Sequence, residues 1–291
     1  MSYNQSAAGS PARLHEHNKA GRLRTMAQEK QDQWREQWTL LRDGELFLFK
    51  DWIHPHTLES FRGLDILECG CGGGQHTAFM APFAKSVTAV DLNTAQLALE
   101  RNAGASNVRF LDADIAEMDL GMRFDVVMSV GVVHHTDDPD RTVANLIRHA
   151  KPGGRLIIWV YSHEGNWAVR NMVEPFRRLF LRSISRKTLL WLSKAVTAIL
   201  YIPVHTLYRL PLRFLPYFDY FGNFRKLSFY RNTLNVFDKL NAPKTGFITR
   251  KRAESWVAPE KFENIHISRY KGVSWRISGH LKRHGLTNNI R

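Results

Sequence analysis

An acidic residue followed by alternating glycines marks residues 64–76. The segment runs from apolar residues into Glu68 and then Gly70, Gly72 and Gly74. The apolar run predicts a strand buried on both faces, and the glycines let backbone N–H groups of the next turn approach a ligand closely. A βα turn without a ligand has the same pattern, because a glycine-rich turn alone is a weak signal. The Glu68 carboxylate would repel a pyrophosphate and attract an ammonium or sulfonium group, which favours a cationic ligand.

A second acidic residue, Asp91, ends the next apolar run at residues 86–91. A carboxylate at this place can accept hydrogen bonds from both hydroxyls of a ribose, so the pattern predicts a nucleoside ligand. Nicotinamide-cofactor domains share this acid, but their turn reads G-x-G-x-x-G, and Gln75 stands where the last glycine would be. A dehydrogenase is therefore disfavoured, and it ranks a distant third, behind the two function classes given at the end of this section.

Apolar runs and helical patterns alternate along the first half of the chain. The strand-like runs are 64–69, 86–92, 107–111, 124–130 and 155–161, and the helical patterns include 93–102 and 140–150. Such alternation predicts βαβ units around a parallel sheet, whose ligands bind outside the carboxyl ends of the strands. Glu68, Asp91, Asp114 and residues 131–135 all fall at such ends, so four predicted strand ends converge on one crevice.

Five sequence blocks occur in an order typical of one enzyme family. They are residues 68–74, 87–91, 112–114, 124–135 and the Lys-Pro-Gly-Gly sequence at 151–154. Over residues 64–161 the chain thereby resembles the class I S-adenosylmethionine (SAM) dependent methyltransferases, specifically the small-molecule, methyltransferase type 11-like group. The resemblance implies SAM as the cofactor. It also implies an α/β fold with a Rossmann-like seven-stranded sheet and helices on both faces.

The same resemblance assigns the residues that hold SAM. On the methionine side they are Glu68, near the amino group, and the backbone of Gly70, Cys71, Gly72 and Gly74. On the adenosine side they are Asp91 at the ribose, Leu92 beside the adenine and Asp114 at the adenine edge. Ile115 and Val130 are further cofactor-binding candidates. Asp114 is preferred to Asp112 because its distances to Met118 and to residues 124–125 fit the family pattern better.

Methyl transfer from a sulfonium is an in-line displacement, so alignment of the acceptor provides most of the acceleration. A hydroxyl acceptor must lose its proton, which a neutral imidazole or a carboxylate can take. His134 and His135 follow the fourth predicted strand, and His135 is preferred because the first of the pair is expected to face the sheet. Each histidine could instead be a packed or loop-capping residue. Asp238, Tyr161 and His163 are lesser candidates, placed where the insert described next leaves or rejoins the core.

Four regions are expected along the chain. They are an N-terminal helical or cap region at 1–60, the SAM-binding core at 61–162, a basic hydrophobic insert at 163–245, and a C-terminal helix and edge hairpin at 246–291. Apolar residues between Trp34 and Trp52 predict helices that close over the cofactor or only cover the sheet. Thr249 is expected to cap the last helix, before antiparallel strands at 262–269 and 272–278. Residues 151–154 are expected to end the helix before the fifth strand.

The positive charge lies in the second part of the chain. Residues 1–159 contain 17 Lys and Arg against 20 Asp and Glu, whereas residues 160–291 contain 24 against 7. The basic part overlaps an apolar, aromatic stretch at 173–229. A membrane-spanning helix needs about 20 apolar residues, and Lys194 and Pro203 interrupt this run, so a span is not expected. The insert is a helical cap, a cap that also touches membrane or lipid, or, less favoured, a nucleic-acid surface.

Cysteine content and the N-terminus bear on location. Cys69 and Cys71 are the two cysteines of the chain, and neighbours so close rarely bridge. No metal-ligand set surrounds them, so no metal is expected, and a reducing cytoplasmic setting is the simplest interpretation. Residues 1–21 are polar and lack the apolar segment of a secretory signal.

The expected function is SAM-dependent O-methylation of a hydrophobic or anionic small molecule. A quinone precursor, a lipid or a cell-envelope sugar would fit, with the protein in the cytoplasm or at the inner face of the membrane. The alternative is a non-catalytic SAM-binding or membrane-adaptor protein, and the intact blocks favour the enzyme. An RNA methyltransferase is a lesser alternative. Enzymes that methylate ring amino groups usually carry N/D-P-P-Y/F after the fourth strand, and residues 129–132 read Ser-Val-Gly-Val.

Overall fold

The computed structural model describes residues 31–32, 35–41, 44–181, 184–242 and 244–283. Trp34 and the polar N-terminal segment lie outside the described residues. The strands are β1 Asp65–Cys69, β2 Ser86–Asp91, β3 Val108–Asp112, β4 Phe124–Val130, β5 Ala150–Tyr161, β6 Phe262–Tyr270 and β7 Ser274–Leu281. The helices are α1 Leu46–Ile53, α2 Gln75–Met80, α3 Ala95–Arg101, α4 Pro139–Arg148, α5 Glu174–Phe176, α6 Arg186–His205, α7 Phe218–Phe224, α8 Phe229–Asn241 and α9 Arg250–Trp256. Turns of π-helix at Val169–Val173 and Arg177–Leu181 flank α5.

The strands form one seven-stranded sheet in the order β3-β2-β1-β4-β5-β7-β6. Strands β1 to β5 pair in parallel, and β7 runs antiparallel to both β5 and β6. The predicted seven-stranded sheet and its antiparallel edge hairpin are thereby confirmed. Because the first five strands point the same way, the carboxyl ends of β1, β2 and β4 meet along one edge of the sheet.

Successive residues of the central strands feed two apolar clusters, one on each face of the sheet. In β1, Leu67 belongs to a cluster that includes Leu146 of α4 and Trp256 of α9. The preceding Ile66 belongs to a second cluster that includes Phe49 of α1. Burial on both faces explains why the parallel strands read as nearly continuous apolar runs rather than as alternating ones.

Polar side chains cap the first turns of α4, α6, α8 and α9. The Asp138 carboxylate accepts hydrogen bonds from two backbone N–H groups at the start of α4. Thr249 caps α9 as predicted, because its hydroxyl accepts a hydrogen bond from the N–H of Arg252. Each cap fixes where the chain leaves a loop and enters a helix beside the sheet.

The prediction that residues 151–154 end a helix is wrong. Helix α4 already ends at Arg148, and β5 begins at Ala150 with an irregular register opposite β4. The Lys151 ammonium pairs with the carboxylates of Asp125, at 2.9 Å, and Asp65, at 3.4 Å. These residues therefore anchor the first residues of β5 to the amino ends of β1 and β4, away from the crevice.

The insert at 163–245 is helical, and α6 packs against α8 in it. Leu189 and Phe237 are buried together between these helices. Helix α6 continues through Pro203 to His205, so the expectation that this proline interrupts the helix is wrong. By length and composition α6 could cross a membrane, and only 22% of its apolar window is buried. Length and composition do not distinguish a span from a helix that lies along a surface.

Candidate active site

The glycine turn after β1 is organised by the carboxylate of Asp91. Its Oδ2 accepts a hydrogen bond from the N–H of Gly72, and its Oδ1 accepts one from the N–H of Leu92, both at 2.8 Å. Gly72 has a positive φ of 53°, and a Cβ there would overlap the indole ring of Trp38. Burial raises the pKa of Asp91, while these hydrogen bonds oppose the rise. The acid at the end of β2 thus holds the turn in shape.

Glu68 lies one layer beneath the turn, with 2% of its surface exposed. Its Oε2 accepts a hydrogen bond from the Thr77 hydroxyl at 2.5 Å, and its Oε1 lies 3.7 Å from Nδ1 of His76. Burial raises the pKa of Glu68 to about 8; the Thr77 hydrogen bond opposes this rise, and the charge of Asp91 adds to it. Gly70, Cys71 and His76, rather than Glu68, line the adjoining cavity.

Three cavities along the carboxyl edge of the sheet share walls. The outer cavity, of about 460 Å³, is lined by Asp91, Leu92, Asp114 and Ile115 among others. The middle cavity, of about 150 Å³, is lined by Gly70, Cys71 and Val130 among others. The apolar cavity, of about 300 Å³, lies between the core and the insert. The outer and middle cavities share Trp38, Gly131 and His135, and the middle and apolar cavities share Trp52, Trp159, Tyr161, Asn235 and Asp238.

The structure separates the two aspartates at the end of β3. Asp114 lines the outer cavity, and its Oδ1 accepts a hydrogen bond from the N–H of Ala116 at 2.8 Å. Asp112 instead accepts a hydrogen bond from the N–H of Ala95 at 3.0 Å, which places it at the first turn of α3. This placement agrees with the preference for Asp114 as the ligand-facing residue.

Gly74 differs from the other glycines of the turn because it packs against a helix. A Cβ there would lie 2.5 Å from Nδ2 of Asn102 and 3.1 Å from the Cβ of Ala98. The Gly74 carbonyl also accepts a hydrogen bond from Asn102 at 3.1 Å. The last glycine of the motif therefore allows α2 and α3 to approach, whereas Gly70 and Gly72 lie at the crevice.

The two histidines after β4 have different surroundings. His134 is buried, its ring lies 4.3 Å from that of Tyr161, and neither ring nitrogen has a hydrogen-bond partner among the described residues. Burial lowers its pKa well below the usual value, so it is a neutral packed histidine that faces the sheet, as expected of the first of the pair. His135 is half-buried and lines the outer and middle cavities.

The tautomer of His135 follows from its neighbour. Its Nδ1 lies 2.7 Å from the carbonyl oxygen of Lys244, which can only accept, so Nδ1 carries the proton and Nε2 is the basic nitrogen. Burial lowers the pKa of His135, although Asp238 and the Lys244 carbonyl act in the opposite direction. His135 therefore presents a neutral imidazole to the crevice.

Asp238 stands in the wall between the middle and apolar cavities. Helix α8, capped by Ser228, carries it there from the insert. Its Oδ1 accepts a hydrogen bond from Nε2 of Gln37 at 2.7 Å, and its Oδ2 accepts one from the Tyr161 hydroxyl at 3.3 Å. Burial raises the pKa of Tyr161, and the charge of Asp238 raises it further, so the phenol stays protonated. His163 lies elsewhere, hydrogen-bonded through its backbone to Ile248.

Residues 35–41, which we call the strap, lie across the glycine turn. The strap is held by hydrogen bonds from four side chains: Gln37 donates to Asp238, Arg101 to the Trp38 carbonyl, Gln75 to the Leu41 carbonyl, and Tyr230 to the Leu40 carbonyl. Because Trp38 contacts Gly72, the position of the strap favours the prediction that the N-terminal region closes over the crevice rather than only covering the sheet. Sequence reasoning missed Gln37, because a glutamine in a polar helix carries no signal of its own.

Known proteins are similar to the central region of this chain, around residues 67–158. Residues 67–158 match a family described as "Methyltransferase domain". A segment of 122 residues is 36% identical to an uncharacterized protein of Synechococcus sp. and covers 39% of this chain and 29% of that protein. A segment of 100 residues is 33% identical to a ubiquinone biosynthesis O-methyltransferase of Rickettsia conorii and covers 33% of this chain and 34% of that enzyme. The chain thus spans about a third of the length of these curated relatives.

A solved structure shares the fold. An O-methyltransferase family protein from Burkholderia thailandensis superposes with a TM-score of 0.50 at 12% identity and covers 82% of this chain and 56% of its own. Together with the sheet order, this superposition shows that the chain has the α/β fold of that protein. Residues 67–158 match the methyltransferase-domain family, in agreement with the resemblance carried by the five sequence blocks.

Proposed function

We propose that the protein transfers the methyl group of SAM to a hydroxyl group of an apolar small molecule. The observation that carries this proposal is the series of three cavities. The outer and middle cavities contain the glycine turn and Asp91, and the middle one shares a wall with a cavity lined mainly by apolar side chains from α1, β5 and the insert. A pocket of mainly apolar lining with a few polar groups is typical of a small-molecule site. The name of the Rickettsia enzyme, an O-methyltransferase, supports oxygen as the acceptor atom.

The residues of the outer and middle cavities fit SAM. The Asp91 carboxylate lies where it can accept hydrogen bonds from ribose hydroxyls, and Leu92 and Ile115 provide apolar walls for an adenine. Gly70, Cys71 and Val130 line the narrower cavity that would take the methionine part. When bound, SAM supplies an electrophilic methyl group on a sulfonium. The protein's part is to align the acceptor with that methyl and to receive the proton.

Asp238 is our proposed proton acceptor. Its carboxylate lies in the wall shared by the middle and apolar cavities, where an acceptor hydroxyl in the apolar cavity would meet the cofactor side. Hydrogen bonds from Gln37 and Tyr161 fix its orientation. The sequence favours His135, which lines the outer and middle cavities but is further from the acceptor side. The geometry thus ranks the insert carboxylate above the core imidazole.

A methyl-transfer assay tests the function directly. SAM labelled on its methyl group is incubated with the protein and separate lipid, soluble-metabolite and RNA fractions of a cell extract, and the label in each fraction is measured. We expect label in the lipid or metabolite fraction, on oxygen by mass spectrometry. Label in RNA would support the RNA methyltransferase instead. Binding of SAM by calorimetry without label in any fraction would support the non-catalytic SAM-binding protein.

We further propose that the insert lies against an anionic membrane surface, which places the protein at the inner face of the membrane. Leu179, Trp191 and Phe214 expose 75%, 69% and 80% of their surface. Trp191, Ile199 and Ile202 recur at helical spacing on the exposed side of α6. Cations interleave with them, among them Lys194. A basic surface with exposed aromatic and aliphatic residues is typical of helices that lie in the membrane interface.

A further inference from the structure

The ammonium group of Lys239 lies in the wall of the apolar cavity. Lys239 follows Asp238 on α8, and both residues line this cavity. Its Nζ donates hydrogen bonds to the Tyr220 hydroxyl at 3.1 Å and to the Asn235 carbonyl at 3.4 Å. It lies 5.3 Å and 6.0 Å from the ring centroids of Tyr220 and Tyr161. The cation is therefore surrounded by neutral groups and aromatic faces.

No carboxylate among the described residues lies at ion-pair distance from Lys239. The adjacent Asp238 directs its two oxygens to Gln37 and Tyr161. Burial lowers the pKa of Lys239, but the charge of Asp238 and the hydrogen bond to Tyr220 are among the causes that raise it, and the net pKa is raised. The side chain is thus a cation at neutral pH. An ammonium has three N–H groups, and its two neutral acceptors use two of them.

A cation in an apolar cavity costs free energy unless an opposite charge approaches it. Lys271 also lines the cavity, but its ammonium lies over the ring of Tyr270, 5.8 Å from the centroid, at the turn between β6 and β7. Glu174, an acid of the same wall, is paired with Arg177 at 2.6 Å. Of the two lysines that line the apolar cavity, Lys239 is therefore the one next to the proposed proton acceptor.

We propose that Lys239 binds an anionic oxygen of the acceptor, so that the acceptor is an apolar molecule with a carboxylate or phenolate near the hydroxyl that is methylated. This inference rests on the proposed methyl transfer. Tyr161 lies beside both groups, since its hydroxyl donates to Asp238 and its ring centroid lies 6.0 Å from the Lys239 ammonium, so the anion and the hydroxyl are close neighbours in the acceptor. The aromatic wall formed by Trp52, Trp159 and Phe247 suits a planar ring between them.

Two probes of the same shape and different charge test the proposal. They are para-hexyloxybenzoate and its neutral carboxamide, and their affinities are measured by calorimetry without cofactor. We expect the wild-type protein to bind the carboxylate at least about tenfold more tightly than the amide, as for a hydrogen bond to a charged group. Lys239→Met should abolish this preference and leave the amide affinity unchanged. Lys239→Arg should keep part of it.

Lys271→Met is the matched control, since it removes a cation from the same cavity away from Asp238, and it should keep the preference. Equal affinities of the wild-type protein for the two probes, or no binding of the carboxylate at millimolar concentration, would overturn the proposal without any variant. A preference that survives Lys239→Met would place the anion elsewhere and also overturn it. Methyl transfer from labelled SAM is measured separately in the wild-type protein, so a failure of the proposed function is seen independently of the probes.

Discussion

The core at 61–162 and the insert at 163–245 form opposite walls of one crevice with different chemistry. The core buries apolar residues on both faces of its sheet and offers the ligand backbone groups and carboxylates at strand ends. The insert contains 14 Lys and Arg against 4 Asp and Glu and leaves large apolar side chains exposed. The proposed cofactor side thus follows from the fold of the sheet, whereas the proposed acceptor side is provided largely by the insert.

The largest expected effect is on the core side, at Asp91. Asp91→Ala removes the carboxylate proposed to hold the ribose, together with the acceptor for the Gly72 N–H, so we expect SAM affinity to fall by at least about 100-fold. Asp119→Ala is the control, because Asp119 accepts a backbone hydrogen bond in another turn of the core. Calorimetry measures both variants, with thermal unfolding as the check on folding. Wild-type affinity in Asp91→Ala would remove the ribose assignment.

On the insert side, Asp238→Asn tests which wall supplies the proton acceptor. We expect turnover to fall by about 100-fold, in the range typical of general bases, with SAM affinity unchanged. His135→Gln, on the core side, should retain most of the turnover. Rates with labelled SAM and the identified acceptor decide between them. If His135→Gln is the slower variant, the proton acceptor belongs to the core and the sequence preference was right.

Replacing exposed apolar residues of the insert should weaken membrane binding and leave SAM affinity unchanged. Leu179→Glu combined with Phe180→Glu is expected to weaken binding to anionic vesicles by about tenfold, because two apolar side chains are lost from the interface. Leu99→Glu is the matched control, since Leu99 is 49% exposed on α3 of the core. Vesicle flotation gives the bound fraction. An equal loss in the Leu99 variant would mean that exposure alone, rather than the insert, governs binding.

The last prediction concerns stability rather than binding or turnover, at Glu68 beneath the glycine turn. The pKa of Glu68 is about 8 in the folded protein against 4.5 ordinarily, so between these values the folded chain binds more protons here than the unfolded chain. The free energy of unfolding therefore falls as pH rises through this window, by up to about 1.4 kcal/mol per pH unit. Thermal unfolding as a function of pH should show a weaker decline in Glu68→Gln. The exposed Glu59→Gln variant should keep the wild-type decline, and an unchanged decline in Glu68→Gln would contradict the assignment.

Local patterns predicted the core well, because a parallel sheet ties its ligand-facing residues to strand ends. Asp91 could be placed at the end of an apolar run, whereas the choice of Asp114 over Asp112 came from the family resemblance, and both residues line the outer cavity. The Lys151 segment was misinterpreted, since a Pro-Gly-Gly sequence fits a helix end and an irregular strand start equally. The contact of Gln37 with Asp238 joins residues 201 positions apart. No periodicity records such a pairing, so Asp238 and Tyr161 were only lesser candidates in the sequence, and Lys239 was recognised from the tertiary structure alone.

The strap has a consequence for the order of events in turnover. A ligand that spans the outer and middle cavities must pass Trp38, and the strap that carries it is fastened to α8 by Gln37 and to α6 by an ion pair between Glu36 and Arg186. In the proposed reaction, any movement of the strap that lets the cofactor exchange would also break the hydrogen bond from Gln37 to Asp238. The proposed proton acceptor would then keep its orientation only while the strap is closed, which couples cofactor exchange to proton removal.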